Sequence, residues 1–188
     1  MEFRRLAIPD VIEITPRKFG DHRGYFAETF KREALAAEGV DIDWMQDNQS
    51  LSAEVGTVRA LHYQIPPVAQ DKLVRVVAGA VFDVAVDIRR GSPTYGQWVG
   101  VELDAERLNQ LLVPRGFAHG FMTLRPGTIV QYKVSAPYSP DHEGAILWND
   151  ADIGIDWPDV GATILSAKDA VAPAFCDHVP SFQFGAVE

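Results

Sequence analysis

Val58–Gln64 reads V-R-A-L-H-Y-Q, and beyond a Pro66-Pro67 turn the chain continues K-L-V-R-V-V from Lys72 to Val77. Both stretches are short, apolar and rich in Val and Leu, and the turn between them marks a pair of β-strands. The first also carries Arg59, His62 and Gln64. A strand that only fills a core has no use for a cation and an imidazole so close together, because each must be desolvated. If the two strands lie side by side, Arg59, His62 and Lys72 point into one concavity, a titratable base beside fixed positive charge. Strict alternation puts Arg59 and His62 on opposite strand faces. Either a bulge lies between them or Arg59 reaches in from the strand's end.

The same pattern extends along most of the chain. Thr57–Gln64, Lys72–Val77, Ala80–Asp87, Trp98–Leu103, Gln110–Val113, Ala118–Thr123, Thr128–Val134 and Gly144–Leu147 read as strands, with Gly, Pro or Asn/Asp turns between them. That succession predicts an all-β sandwich or jelly-roll barrel. Upstream, Val11–Thr15 is a β-branched strand ended by Pro16. Gly20 and Gly24 mark turns around Asp21, His22 and Arg23, and Tyr25–Phe30 then alternates, with Phe26, Glu28 and Phe30 on one face. Lys31–Glu38 is Ala-rich, stops at Gly39 and predicts a short helix. In Trp44–Leu51 the polar residues Gln46, Asn48 and Ser50 share one strand face, which suits a lined pocket better than a packed layer. The tail, Ile153–Glu188, holds Pro158, Pro173 and Pro180, with a helical turn expected at Ser166–Ala170. Without repeats, low-complexity tracts or a linker, the chain is expected to be one domain over residues 1–188, with a C-terminal tail from about residue 159.

At 188 residues and 47% hydrophobic, the chain suits one domain with an ample core. A formal net charge of −9 makes it a poor partner for nucleic acid or an anionic membrane surface, yet leaves room for a locally basic pocket. Cys176 is the one cysteine, so no intrachain disulfide is possible, which fits a reducing compartment. The N-terminus lacks the apolar core of a signal peptide. No apolar run approaches the roughly 18 residues of a membrane span. A soluble cytoplasmic protein is the expectation.

One local motif is clearer than the others. Val113–Phe121, V-P-R-G-F-A-H-G-F, resembles the second signature of the cupin superfamily, P-x-G-x-x-H. The first cupin signature places two histidines two apart, followed by a glutamate, and these bind a metal with the later histidine. Here that region reads H-Y-Q, so Gln64 stands at the second ligand position and Lys72 is the charged residue downstream. Only His62 and His119 remain, whereas a divalent site wants three or four N, O or S donors and is repelled by an ammonium. No metal is expected.

Further segments fall in a fixed order: F-x-D-x-R-G-x-F-x-E at Phe19–Glu28, Q-D-N-x-S at Gln46–Ser50, R-x-L-H-Y-Q at Arg59–Gln64, K-L-V-R-V at Lys72–Val76, the Val113–Phe121 motif, and W-N-D-x-D-I-x-I-x-W-P at Trp148–Pro158. Together they resemble the dTDP-4-dehydrorhamnose 3,5-epimerase family, from about Phe19 to Pro173. The resemblance implies a metal-free cupin jelly roll without cofactor, working as a homodimer. It implies the substrate dTDP-4-dehydro-6-deoxy-D-glucose and inversion at C3 and C5, on either side of the C4 ketone.

Such a reaction needs a positioned base and stabilisation of an enolate. The resemblance assigns His62 as base and Asp169 as its orienting carboxylate; Asp83, on the neighbouring strand, is the second choice. It places Lys72 at the C4 oxygen and makes Tyr132 the acid on the opposite face. Arg59 and His119 match contacts to diphosphate and sugar. Arg23 and Glu28 match residues that reach the nucleotide across the dimer. Phe19, Phe26 and Tyr138 are candidates for contacts to thymine, and Gln46 and Asn48 for polar contacts to nucleotide or sugar. The chain departs from the family in having Ala60 where Gly is usual and Gln49 where His is usual. Ala60 matters if its backbone needs positive φ. Other functions compatible with these residues are a 3-epimerase or 3,4-ketoisomerase, a metal-dependent cupin oxygenase, and a non-catalytic sugar-nucleotide binding module.

Overall fold

Apolar residues on both faces of a strand require cover on both sides, and the chain supplies it with two sheets and two outer layers. The computed structural model describes residues 1–185. In chain order its elements are β1 (Glu2–Arg5), β2 (Ile12–Thr15), β3 (Lys18–Asp21), β4 (Gly24–Ala27), α1 (Arg32–Ala37), β5 (Gln46–Ser52), β6 (Val58–Gln64), β7 (Lys72–Ala78) and β8 (Ala80–Asp87). There follow β9 (Arg89–Arg90), β10 (Trp98–Asp104), β11 (Gln110–Val113), β12 (Phe117–Thr123), β13 (Thr128–Val134), β14 (Glu143–Ala145) and β15 (Phe182–Gln183). One sheet has the order β1-β2-β11-β7-β13-β5 and the other β10-β8-β12-β6-β14. Pairing within both is antiparallel.

The alternation of side chains sorts the core into layers. Val74, Val76, Val81, Ala85, Leu111, Val113, Phe121 and Val130 meet between the two sheets. Their neighbours point the other way. Val84, Val86, Ala118 and Met122 pack with Trp148, Trp157 and Phe175 from the C-terminal region. Ile12, Ile14, Leu73 and Leu112 pack with Leu35 of α1. Gly39, at φ 84°, follows the helix and donates its N–H to Ala36 O, closing the helix as expected.

The eight strands expected from Thr57 onward are present, most with ends shifted by a residue or so. Three expectations need correction. β1 and the two-residue strands β9 and β15 were not foreseen: E-F-R-R is a polar sequence on a sheet edge, held by its register with β2. Gly20 lies inside β3 rather than in a turn, and β3 and β4 form a hairpin that is a sheet of its own. The strand expected to run to Phe30 stops at Ala27, and Phe30 turns inward to meet Trp44 edge-on at 6.5 Å.

The tail is bound back into the fold. Thr57 bridges Ile164, Leu147 N donates to Pro173 O, and Phe182 of β15 pairs with Arg89 of β9. The helical turn expected near Ser166–Ala170 is a 3-10 turn at Asp169–Val171, and the Asp169 N–H is capped by Ser166 Oγ at 3.0 Å.

Candidate active site

The alternation conflict between Arg59 and His62 is resolved by a bulge. His119 of β12 faces His62 of β6, and Phe121 faces Arg59, so one residue of β12, Gly120, is opposed by two of β6, Ala60 and Leu61. Arg59 and His62 therefore both line the same cavity, which has a volume of about 440 Å³. Ala60 lies within the bulge and is fully buried. It does not have positive φ, so a methyl group is compatible with its backbone.

The cavity lies between the sheets. The larger sheet contributes Gln46, Asn48 and Ser50 from β5, Lys72 from β7 and Tyr132 from β13. The smaller contributes Arg59, His62, Gln64, His119, Phe121 and Glu143. The tail adds Ser166, Lys168 and Asp169. Gln46, Asn48 and Ser50 present one face inward, as their spacing predicts. The buried Ser50 Oγ has no hydrogen-bond partner among the described residues.

His62 Nε2 lies 2.7 Å from Asp169 Oδ1, and Asp169 is buried. A carboxylate only accepts, so the neutral imidazole carries its proton on Nε2 and its lone pair on Nδ1. Burial pushes the His62 pKa below the usual imidazole value; Asp169 opposes this and Lys72 adds to it. A neutral imidazole is the form a base needs at neutral pH. Asp83 does not orient His62: its Oδ1 lies 2.8 Å from His119 Nε2, and the second-choice assignment is corrected on that geometry. The other oxygen, Asp83 Oδ2, is buried without a hydrogen-bond partner among the described residues.

Lys72 Nζ donates to the backbone carbonyl of His62 at 3.1 Å, which fixes the ammonium beside the imidazole. Burial lowers the Lys72 pKa to about 8, against the pull of Asp83 and Glu143. Tyr132 pairs with Asn48 and Val74 in the facing sheet. Burial raises its pKa, Arg59 opposes and Glu143 reinforces, so the phenol keeps its proton. Arg59 donates to Ser52 Oγ at 3.4 Å and Leu51 O at 3.3 Å, both neutral acceptors, which leaves its charge for a ligand at the rim.

The positions a metal-binding cupin would use are otherwise engaged. His62 and His119 each bond a carboxylate through Nε2, and the Gln64 amide is held by backbone groups. Among the described residues no group of three or more His, Cys, Asp or Glu is placed to hold a metal ion.

Four predicted site residues lie apart from the cavity of this chain. Phe19, Arg23 and Phe26 belong to the β3–β4 hairpin and its turn, and Glu28 follows it. Phe19 is 52% and Phe26 70% exposed, Arg17 lies over the Phe19 ring at 4.9 Å, and Arg23 pairs with Asp21. Tyr138 lines the cavity, and its hydroxyl donates to Glu143 Oε2 at 3.0 Å. Glu143 and Lys168 were missed from sequence. They pair at 2.6 Å at the cavity wall. The available signal was weak: Glu143 opens the strand expected from Gly144, and Lys168 precedes Asp169.

Fold and cavity together define a class: a cupin-type jelly roll whose pocket offers a held imidazole, a buried ammonium and a facing phenol. The family model for dTDP-4-dehydrorhamnose 3,5-epimerase matches residues 5–177. The chain belongs to that family. It is 53% identical to dTDP-4-dehydrorhamnose 3,5-epimerase of Sinorhizobium fredii, over 98% of this chain and 94% of that one. Among solved structures it is similar to the Legionella pneumophila dTDP-6-deoxy-D-glucose-3,5-epimerase, crystallised with dTDP-4-keto-L-rhamnose. That match has a TM-score of 0.94 and 41% identity, covering 98% of this chain and 99% of the other. The Bacillus anthracis dTDP-4-dehydrorhamnose 3,5-epimerase, crystallised with TDP and PPi, matches with a TM-score of 0.89 and 49% identity, covering 92% and 98%.

Proposed function

We propose that the protein epimerises dTDP-4-dehydro-6-deoxy-D-glucose at C3 and C5, giving dTDP-4-dehydro-β-L-rhamnose. The observation that carries this is the placement of His62 and Tyr132 on facing sheets, with Lys72 tethered beside His62, in one cavity. Inversion next to a ketone requires removal of a proton from one face and delivery of one to the other.

His62 Nδ1 takes the proton from the carbon next to the C4 ketone, and Asp169 steadies the imidazolium that forms. The electron pair moves onto the C4 oxygen as an enolate, where the Lys72 ammonium stabilises it. The Tyr132 phenol returns a proton to the same carbon from the opposite face. Proton exchange with water resets both groups, and the sequence repeats at the second carbon.

Arg59 at the rim and His119 take the diphosphate and sugar; an Arg fork suits phosphate oxygens. Gln46 and Asn48 hold polar groups of the ligand, and Tyr138 forms a wall for thymine. The exposed hairpin is read as covered by a second copy of the chain. Phe19 and Phe26 sit opposite one another in the hairpin and are both exposed, and an exposed aromatic pair of this kind is a common mark of an interface; in a homodimer it brings Arg23 and Glu28 to the partner's nucleotide. No helix among the described residues is long and apolar enough to cross a membrane, and a cytoplasmic site of action fits a substrate carried on a nucleoside diphosphate.

The test is turnover of dTDP-4-dehydro-6-deoxy-D-glucose by the purified protein, followed by NMR at C3 and C5. Inversion at both carbons supports the proposal; inversion at C3 alone replaces it with a 3-epimerase. Light scattering at micromolar concentration tests the dimer, and a monomer would remove the role given to Arg23 and Glu28.

A further inference from the structure

Gln64 stands where metal-binding cupins have a histidine ligand, and it has a different task here. Its side chain lines the cavity and is only 4% exposed. Its Nε2 donates to Val68 O at 2.8 Å and to Pro137 O at 3.2 Å, and its Oε1 accepts from the Ser139 N–H at 2.9 Å. Both amide hydrogens are thereby committed. Pro137 and Ser139 are the two neighbours of Tyr138, so one buried side chain clamps the backbone on either side of that residue.

Tyr138 itself is 57% exposed and lies in an irregular stretch between β13 and β14. Its other restraints come from the cavity. Its N–H donates to Gln46 Oε1 at 3.4 Å, and its hydroxyl to Glu143 Oε2 at 3.0 Å. Glu143 is the direct cross-strand neighbour of Gln64. Adjacent residues on one strand pair therefore hold Tyr138 from behind, through its backbone, and at its tip.

We infer that Gln64 is a positioning residue for nucleotide recognition: it holds the Tyr138 ring in place before the base arrives. A preformed wall removes the ordering cost that a mobile loop would charge against binding. The inference rests on the proposed contact between Tyr138 and thymine, and it gives Gln64 no part in proton transfer.

A double-mutant cycle tests it, with dTDP affinity measured by titration calorimetry and kcat and KM on the full substrate. Tyr138→Ala is expected to weaken dTDP binding roughly 5- to 150-fold, the range that base–aromatic stacking spans. Gln64→Met keeps the length and loses all three hydrogen bonds. It is expected to weaken dTDP binding about fivefold and raise KM, with kcat within about threefold of the parent. Combined with Tyr138→Ala it should add less than about twofold, because the wall it positions is gone. Should Gln64→Met fail to fold, the same cycle is run with Gln64→Glu, which keeps the acceptor for Ser139 but turns an oxygen toward two carbonyls.

Unchanged affinity in Tyr138→Ala would remove the thymine contact itself. A weakened Tyr138→Ala with unchanged affinity in the Gln64 variant would overturn the positioning role. So would a double variant that loses the product of the two single effects, since a purely structural defect acts independently of Tyr138.

Discussion

His62 and Asp169, separated by 107 positions in the chain, meet with Nε2 and Oδ1 2.7 Å apart. The contact joins β6 to a 3-10 turn in the tail, so the geometry of the base depends on how the last segment docks. His62→Asn removes the base while keeping a polar side chain of similar reach. It is expected to lower kcat by about 10²–10⁴, the usual worth of general acid–base catalysis, with dTDP affinity within about twofold by calorimetry. Activity within tenfold of the parent would show that another group takes the proton.

Tyr132 and His62 are expected to separate in their effects. Tyr132→Phe keeps the ring and removes the proton donor. In D₂O this variant should still exchange substrate hydrogens through His62 while product forms much more slowly, about a hundredfold or more. Equal losses in exchange and inversion would mean that the phenol is not the acid.

The pH profile follows from His62 and Lys72. His62 must be neutral, and burial holds its pKa below the usual imidazole value, so kcat/KM should fall only when the pH drops below about 6.5. Lys72 must be charged, and its pKa lies at about 8, so kcat/KM should fall again as pH rises through that value. The carboxylates of Asp83 and Glu143 raise the Lys72 pKa. Asp83→Asn removes one of them and should move the alkaline limb to lower pH. A limb that stays in place would show that Lys72 is not the group titrating.

Gly120 allows the bulge to close. A Cβ built there would lie 2.3 Å from the Ala60 Cβ and 3.0 Å from the Arg59 carbonyl oxygen. Gly120→Ala is therefore expected to destabilise the protein by about 1–3 kcal/mol, as overpacking generally does, measured by urea unfolding. Adding Ala60→Gly removes the nearer obstacle and should restore part of the loss. No recovery would place the clash in the backbone alone.

Most of the strand framework was legible because its strands obey simple patterns: β-branched runs, period-two alternation, and Gly or Pro at the breaks. Gln46, Asn48 and Ser50 showed a pocket face for the same reason. β1 reads as polar because an edge strand needs little apolar surface. Arg59 and His62 fall on opposite faces until a bulge is known, and alternation cannot count an extra residue. Asp169, Glu143 and Lys168 sit in a turn, at a strand end and in the tail, where no period operates; Asp169 came only from the family resemblance. Asp83 and Asp169 were alternatives because both are acidic residues within reach in principle, and only the fold assigns one to His119 and the other to His62.

In the proposed reaction, protons leave and return at both carbons next to the C4 ketone, through His62. The most direct measurement is NMR of dTDP-4-dehydro-6-deoxy-D-glucose incubated with the protein in D₂O, alongside the His62→Asn variant. Deuterium incorporated at C3 and C5 with inversion at both, and neither event with the variant, is the predicted result. Exchange that is absent at C5, or that persists unchanged without His62, would rule out this mechanism.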